Sequence, residues 1–295
     1  MLGLTKLRQH EIKRNDSQDQ YEDRRGKGMK RGAIGGVGGL IIVVVALLLG
    51  QNPIDLLDVA GSATSPETEV YDETRAVENE DLKVFSLGVF NSANDVWTEI
   101  FRQQLGKEYR KPVFVTFTDQ TRSECGGASA ETGPFYCQLD EKVYIDLSFF
   151  HVLSQRFKAP GDLAMAYVTA HEVGHHVQKL MGIIDQMNQY RGQVSETEYN
   201  ELNVKLELQA DFFAGLWAHQ AQKMGIIMLE PGDLESAIQA AEAIGDDQLQ
   251  KQAQGFTVPE TFTHGTSAQR MYWFNKGFQT GDIRQSDTFN DPSLN

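Results

Sequence analysis

The chain has 295 residues, 27 basic and 41 acidic, with a formal net charge of −14 at pH 7. A field this acidic argues against general binding to nucleic acid, and no nucleic-acid partner is expected. The length suffices for a domain with a sizeable core.

The charge is unevenly spread. Residues 1–31 carry nine basic and five acidic side chains, and all the rest carry 18 basic and 36 acidic. Residues 1–32 therefore read as a flexible basic leader. Residues 33–50, Ala33 to Gly50, contain no charge and end at Gln51-Asn52-Pro53. Such a stretch is at the short end for a transmembrane helix. Gly35 and Gly39 form a GxxxG pair, a weak signal for a homo-oligomer through that helix. Basic residues before it and acidic ones after it place the leader in the cytoplasm and the rest outside, as in a single-pass membrane protein. A cleaved signal peptide fits less well, because the charged leader is longer than an ordinary n-region. Residues 51–80 are polar and acidic and read as a linker. Residues 81–280 are expected to form one catalytic domain, and 281–295 a tail.

Within that domain Asn94–Leu105 has the spacing of an amphipathic helix, with Val96, Trp97, Ile100, Phe101 and Leu105 apolar. Val113–Thr118 and Val143–Leu147 read as strands. Between them, Cys125 and Cys137 flank a loop rich in Gly, Ser and Ala. Outside the cytoplasm a disulfide is the natural state for this pair, and it would constrain the loop by roughly 3 kcal/mol. Zinc ligation and two free thiols are the alternatives, although the spacing is not that of a CxxC-type site.

His171-Glu172-Val173-Gly174-His175 carries the most chemistry. The flanking pattern predicts a helix over 161–181, where residues i and i+4 share a face. His171 and His175 can then bind one ion, and Glu172 can reach a water on it. Catalytic zinc takes three protein ligands and keeps one open position. Glu207 is the candidate third ligand, in a second predicted helix over 196–224. Asp211, four residues on, is placed to accept the free N–H of a ligand histidine. The rival reading makes both carboxylates part of a solvated helix face. His176 points off the His171–His175 face and reads as structural. Gly182–Ser195, between the two helices, is either a lid or an ordered connection.

Helices over 231–253 and 266–278 complete the pattern. Strands first and helices after suggest α+β. The HExxH motif with Glu207-Leu-Gln-Ala-Asp211 resembles the gluzincin-type zinc peptidases. Three further stretches, Cys125–Cys137, Val143–Phe150 and His264-Gly-Thr-Ser-Ala-Gln-Arg270, resemble the bacterial "putative neutral zinc metallopeptidase" family. With the basic, Gly-rich N-terminus, the likeness covers nearly the whole chain. It implies a zincin-like domain with a small sheet and a mainly helical remainder, one catalytic Zn2+ on His171, His175 and Glu207, and Glu172 as catalytic residue. It also implies His264 as an oxyanion donor, with Arg270 ordering the site or supporting the oxyanion. Strand 143–147 would be the rim strand that pairs with extended substrate, the alternative being an ordinary core strand. The membrane would be a bacterial inner membrane.

The expected activity is hydrolysis of peptide bonds in a protein or peptide outside the cytoplasm. A non-catalytic, zinc-stabilised envelope binding or scaffold protein and a zinc amidase acting on peptidoglycan are the alternatives. A purely structural zinc site would need four protein ligands and no carboxylate beside the first histidine, so Glu172 favours the enzyme.

Overall fold

In a computed structural model of the chain, the described residues are 20–28, 70–71, 79–129, 133–155, 162–243 and 245–294. The apolar stretch 33–50 and most of the 51–80 segment lie outside them. Among the described residues no helix is long and apolar enough to cross a membrane.

The architecture is mixed α+β, with helices predominating. Short strands β1 (Tyr21–Asp23), β2 (Lys27–Gly28) and β3 (Val70–Tyr71) precede a long helix, α1 (Glu80–Ile100), which ends in one wide turn over Phe101–Leu105. Strands β4 (Val113–Phe117), β5 (Gln120–Ser123), β6 (Gly126–Ser129), β7 (Phe135–Cys137) and β8 (Lys142–Asp146) follow. Then come helices α2 (Phe149–Gln155), α3 (Asp162–Leu180), α4 (Ile183–Tyr190), α5 (Glu196–Lys223), α6 (Asp233–Ala243), α7 (Asp246–Gln254) and α8 (Ser267–Thr280).

The main sheet has the order β1-β4-β8-β7; β1, β4 and β8 run parallel and β7 antiparallel. β4 and β8 are central, which is why each is a nearly unbroken buried run instead of an alternating one. One core joins the sheet to α1, α3, α5 and α8 through Phe90, Trp97, Phe114, Tyr167, Phe213, Trp217 and Phe274.

Several expectations are corrected. Helix α1 begins at Glu80, well before Asn94. Polar residues obscured its first turns, but they are accommodated inside the core: Ser92 donates to the Val89 carbonyl (2.9 Å) and accepts from Trp217 Nε1 (2.9 Å). The helix expected over 231–253 is two, α6 and α7, because the chain turns at Gly245. There the backbone of Ser267 comes so close that an added Cβ would sit 2.5 Å from its nitrogen. Of the two readings of Gly182–Ser195, the structure has the ordered connection, helix α4, with Ile184 and Met187 packed on Leu206. Residues 281–294 are packed and not a loose tail. Thr288 donates to the Lys205 carbonyl (2.6 Å), and Gln209 donates to that of Ser286 (2.9 Å).

Two corrections concern the sheet. Strand 143–147 lies between β4 and β7, so its backbone groups are already paired and cannot bind an extended substrate. The edge strand is β7, anchored by the Cys125–Cys137 disulfide (Cα–Cα 5.7 Å). The second correction is that part of the leader belongs to the domain. Tyr21–Asp23 pairs with Phe114–Thr116 as the other edge of the sheet.

Candidate metal centre

Two helices meet where they lack bulk. Gly174, inside the HExxH motif of α3, faces Ala210 of α5. An added Cβ would lie 3.2 Å from the Ala210 carbonyl oxygen and 3.3 Å from Phe213 Cβ. The close approach brings Glu207, three residues before Ala210, and Asp211, the residue after it, against His171 and His175. α5 is started by a capping box, Ser195 with Glu198. That sets the helix phase from its first turn.

The three candidate ligands converge. His171 Nε2 lies 3.2 Å from Glu207 Oε2, and His175 Nε2 lies 3.5 Å from Glu207 Oε1. Ligand atoms from all three fall within 4.8 Å of one another. Each imidazole is oriented from behind. His171 Nδ1–H donates to Asp211 Oδ1 (2.8 Å), and His175 Nδ1–H donates to Gln178 Oε1 (2.9 Å). With Nδ1 so engaged, Nε2 of each ring is the nitrogen left for an ion, the arrangement a metal-ligating histidine needs. Burial opposes a charged His171, but the Asp211 and Glu207 carboxylates outweigh it and push its pKa up to about 10. A field that holds a proton this firmly also favours a cation. Two imidazoles and one carboxylate form a donor set that fits catalytic zinc.

Asp211 is fully buried and heavily partnered. It accepts from His171, from the Tyr167 hydroxyl (2.5 Å), and from Arg270 Nε (2.8 Å) and Nη2 (3.0 Å). Burial would raise its pKa, but Arg270 and His171 hold the carboxyl down at about 2. Arg270 is 2% exposed and braces Asp211 and Tyr167 from behind the site. Of the two roles implied for it, this geometry is that of ordering the site. Arg270 reaches this place because α8 crosses α5 in near backbone contact. A Cβ at Gly277 would fall 2.0 Å from the Phe212 carbonyl oxygen, and one at Gly215 would fall 2.0 Å from that of Phe274.

Glu172 sits beside the trio, 8% exposed. Burial raises its pKa against the attraction of His175 and His171. His264 lies in the loop before α8 and keeps 36% of its side chain exposed. Its loop hangs on Asp246, whose Oδ2 accepts the backbone N–H of Thr263 (2.6 Å), His264 (2.6 Å) and Gly265 (3.2 Å). Asp246 Oδ1 accepts from His264 Nδ1 (3.1 Å). Burial disfavours the charged imidazole, but Asp246 outweighs it and raises the His264 pKa.

His176 is bound on its far side. Its Nε2–H donates to the Arg110 carbonyl (2.6 Å), and its Nδ1 accepts from Tyr136 of β7 (3.0 Å). Burial lowers its pKa to about 4, so it is a neutral tie between α3 and the edge strand.

Three supporting residues escaped the sequence reading. Tyr167 and Gln178 stand four residues before His171 and three after His175, on the same helix face, so spacing could have found them. Asp246 had no signal, since only the break at Gly245 turns it under the 263–265 loop.

The family model described as "Putative neutral zinc metallopeptidase" matches residues 6–289. The chain is 45% identical over 280 residues to "Uncharacterized protein YpfJ" of Escherichia coli K12, covering 92% of this chain and 96% of that one. It is 39% identical over 258 residues to "Uncharacterized protein Rv2575" of Mycobacterium tuberculosis H37Rv, covering 84% of this chain and 83% of that one. No solved structure matches it.

Proposed function

The chain belongs to the putative neutral zinc metallopeptidase family, and from that premise we propose that it is a zinc-dependent endopeptidase with a zincin-like site. The observation that carries this reading is the convergence of His171 Nε2, His175 Nε2 and the Glu207 carboxylate, each imidazole held by an acceptor on its other nitrogen.

His171, His175 and Glu207 hold the ion. Zinc held there would supply Lewis acidity, towards both a water and the scissile carbonyl. Glu172 would be the base that takes up a proton from the attacking water and the acid that returns it to the leaving amine. Asp211 and Gln178 keep both imidazoles in the tautomer that leaves Nε2 for the ion. Tyr167 and Arg270 keep Asp211 in place. His264, held as a donor by Asp246, stabilises the developing oxyanion. β7, the edge strand tied to α3 through Tyr136 and His176, is the strand whose backbone an extended peptide would meet.

We place this activity outside the cytoplasm, attached to a membrane through residues 33–50. The Cys125–Cys137 disulfide supports an oxidising compartment, and the uncharged run supports the attachment.

The test is digestion of an unbiased peptide mixture by the zinc-loaded full chain beside its Glu172→Ala form. The full chain is required because β1 is part of the sheet. Cuts made by the first and not by the second are expected. A folded, zinc-bound chain that cuts nothing would turn the reading towards a binding module.

A further inference from the structure

Residues 20–28 are bound to the domain by more than one strand pair. Arg24 N–H donates to the Thr116 carbonyl (2.8 Å), and the Tyr21 hydroxyl meets Thr116 Oγ1 (2.9 Å). Tyr21 stacks on Phe114, ring centroids 6.2 Å apart. Glu22 pairs with Lys142 of β8 (2.5 Å). Arg24 Nη1 donates to the Arg122 carbonyl (2.8 Å), and its guanidinium lies over the Tyr144 ring (5.5 Å). Arg25, 3% exposed, bonds to Asp23 (2.6 Å) and to Glu80 at the start of α1 (2.9 Å). Every charged side chain from Glu22 to Arg25 is thus matched by a partner in the strand itself or in the domain.

The chain also rejoins the domain where it left. β2 pairs antiparallel with β3, setting Lys27 opposite Tyr71 and Gly28 opposite Val70. Both ends of the 29–69 segment, which contains the apolar stretch 33–50, are therefore fixed side by side.

These contacts conflict with a single crossing. Eighteen helical residues would carry the chain about 27 Å, leaving residue 51 across the membrane from Gly28. To bring Val70 back beside Gly28, residues 51–69 would have to recross, taking Asp55, Asp58, Glu67 and Glu69 through hydrocarbon. The alternative is to strip β1 from β4, which exposes the sheet edge and separates Arg25 from Glu80.

We infer that residues 20–28 and the catalytic domain share one compartment, so that the apolar stretch 33–50 attaches the chain to a membrane without carrying it across. This replaces the topology expected from the charge asymmetry. That bias counts Arg24, Arg25 and Lys27 as solvated cations of the opposite side, whereas Arg24 and Arg25 are used up in holding β1 to the domain.

The test uses the full-length chain in its own membranes. Asp23 and Thr116 are register partners with side-chain oxygens 3.4 Å apart. The double variant Asp23→Cys/Thr116→Cys, with a protease site inserted between residues 51 and 69, is oxidised and cut. The expected result is two pieces that run together without reductant and separate with it. Pieces that separate without reductant would overturn the inference. A second arm leaves the sheet untouched. Ser17→Cys, four residues before β1, and Tyr272→Cys, on the 55% exposed Tyr272 of α8, are labelled singly with a membrane-impermeant maleimide in sealed vesicles. Labelling from the same face is expected; labelling from opposite faces would refute shared residence. Neither arm reads catalysis, so the Glu172→Ala chain must give the same result, and the inference stands or falls apart from the peptidase reading.

Discussion

The two sides of the candidate site are built differently. On the ion side, His171 is tied to Asp211, which is tied in turn to Tyr167 and Arg270; all four are buried where α3, α5 and α8 are in near backbone contact. On the other side, His264 stands in a loop, is 36% exposed, and has its Nδ1 beside Asp246 Oδ1 (3.1 Å) and Thr263 Oγ1 (3.0 Å), with Asn203 donating to the Thr263 carbonyl (2.9 Å). A metal needs donor atoms fixed before it arrives, and three crossed helices supply that rigidity. A donor to a transient oxyanion has to act only once substrate is present. On the proposed reading, a loop held by a few polar contacts suffices for His264 and leaves the side chain within reach of solvent.

Substitutions can break this contrast at either end. The largest effect is expected at Glu172. Glu172→Ala should lose about 10²–10⁴-fold in kcat while keeping zinc, and Glu207→Ala should lose the zinc itself. Metal analysis after dialysis, run beside peptide turnover, separates the two. Equal zinc in Glu207→Ala and the parent would remove Glu207 from the ligand set.

His264→Ala should lower kcat about 10²–10³-fold, as loss of an oxyanion donor does, with zinc content unchanged. A drop in zinc would place His264 on the ion side and erase the contrast.

Asp211→Asn should weaken zinc binding by about 10–100-fold, read by competition with a chelating dye. The buried Arg270 would also lose its countercharge, so thermal stability should fall with it. Unchanged affinity would mean that the tautomer of His171 does not depend on Asp211.

The smallest effect should appear as a pH dependence at Asp246. Burial works against its charge, but His264 and the loop N–H groups hold its pKa below the usual range. The stability it contributes is therefore present above its unfolded value and lost as pH falls through the lower folded one. For His264, whose pKa is raised, the contribution is complete below the unfolded value and lost as pH rises through the folded one. The pair should contribute fully between roughly pH 4 and 6.5. Asp246→Asn should cost about 1–3 kcal/mol in that window and less on either side of it, by thermal unfolding. It should also move the alkaline limb of kcat to lower pH, since His264 would lose its proton more easily. An alkaline limb that stays in place would separate His264 from the reaction.

Much of the site was legible in the chain because helical spacing is a local property. His171, Glu172 and His175 share their geometry as soon as α3 forms, and Glu207 and Asp211 share theirs on α5. His171, Glu172 and His175 stand out on a largely apolar α3, whereas on α5, where other carboxylates are frequent, it is the need for a third ligand that singles out Glu207 and Asp211. The helices over 162–180, 196–223 and 267–280 and the strands β4 and β8 followed from the same periodicities.

What the sequence could not decide was anything set by contact between distant segments. Nothing local tells a central strand from an edge strand, so the sequence leaves 143–147 open between rim and core, and only the sheet puts β8 inside and β7 at the edge. Asp246 reaches His264 only because the chain breaks at Gly245, and the 281–294 stretch packs only because α5 offers it the Lys205 carbonyl and the Gln209 amide. Above all, Tyr21-Glu-Asp-Arg-Arg25 reads by composition as a charged leader. Only the open edge of β4, with Lys142 and Glu80 at the right distances, makes it a strand. Composition and periodicity determine which residues carry chemistry and which face they share. Tertiary structure decides which neighbours those faces meet, because an ion pair or a strand pair takes its energy from a partner that may lie a hundred residues away.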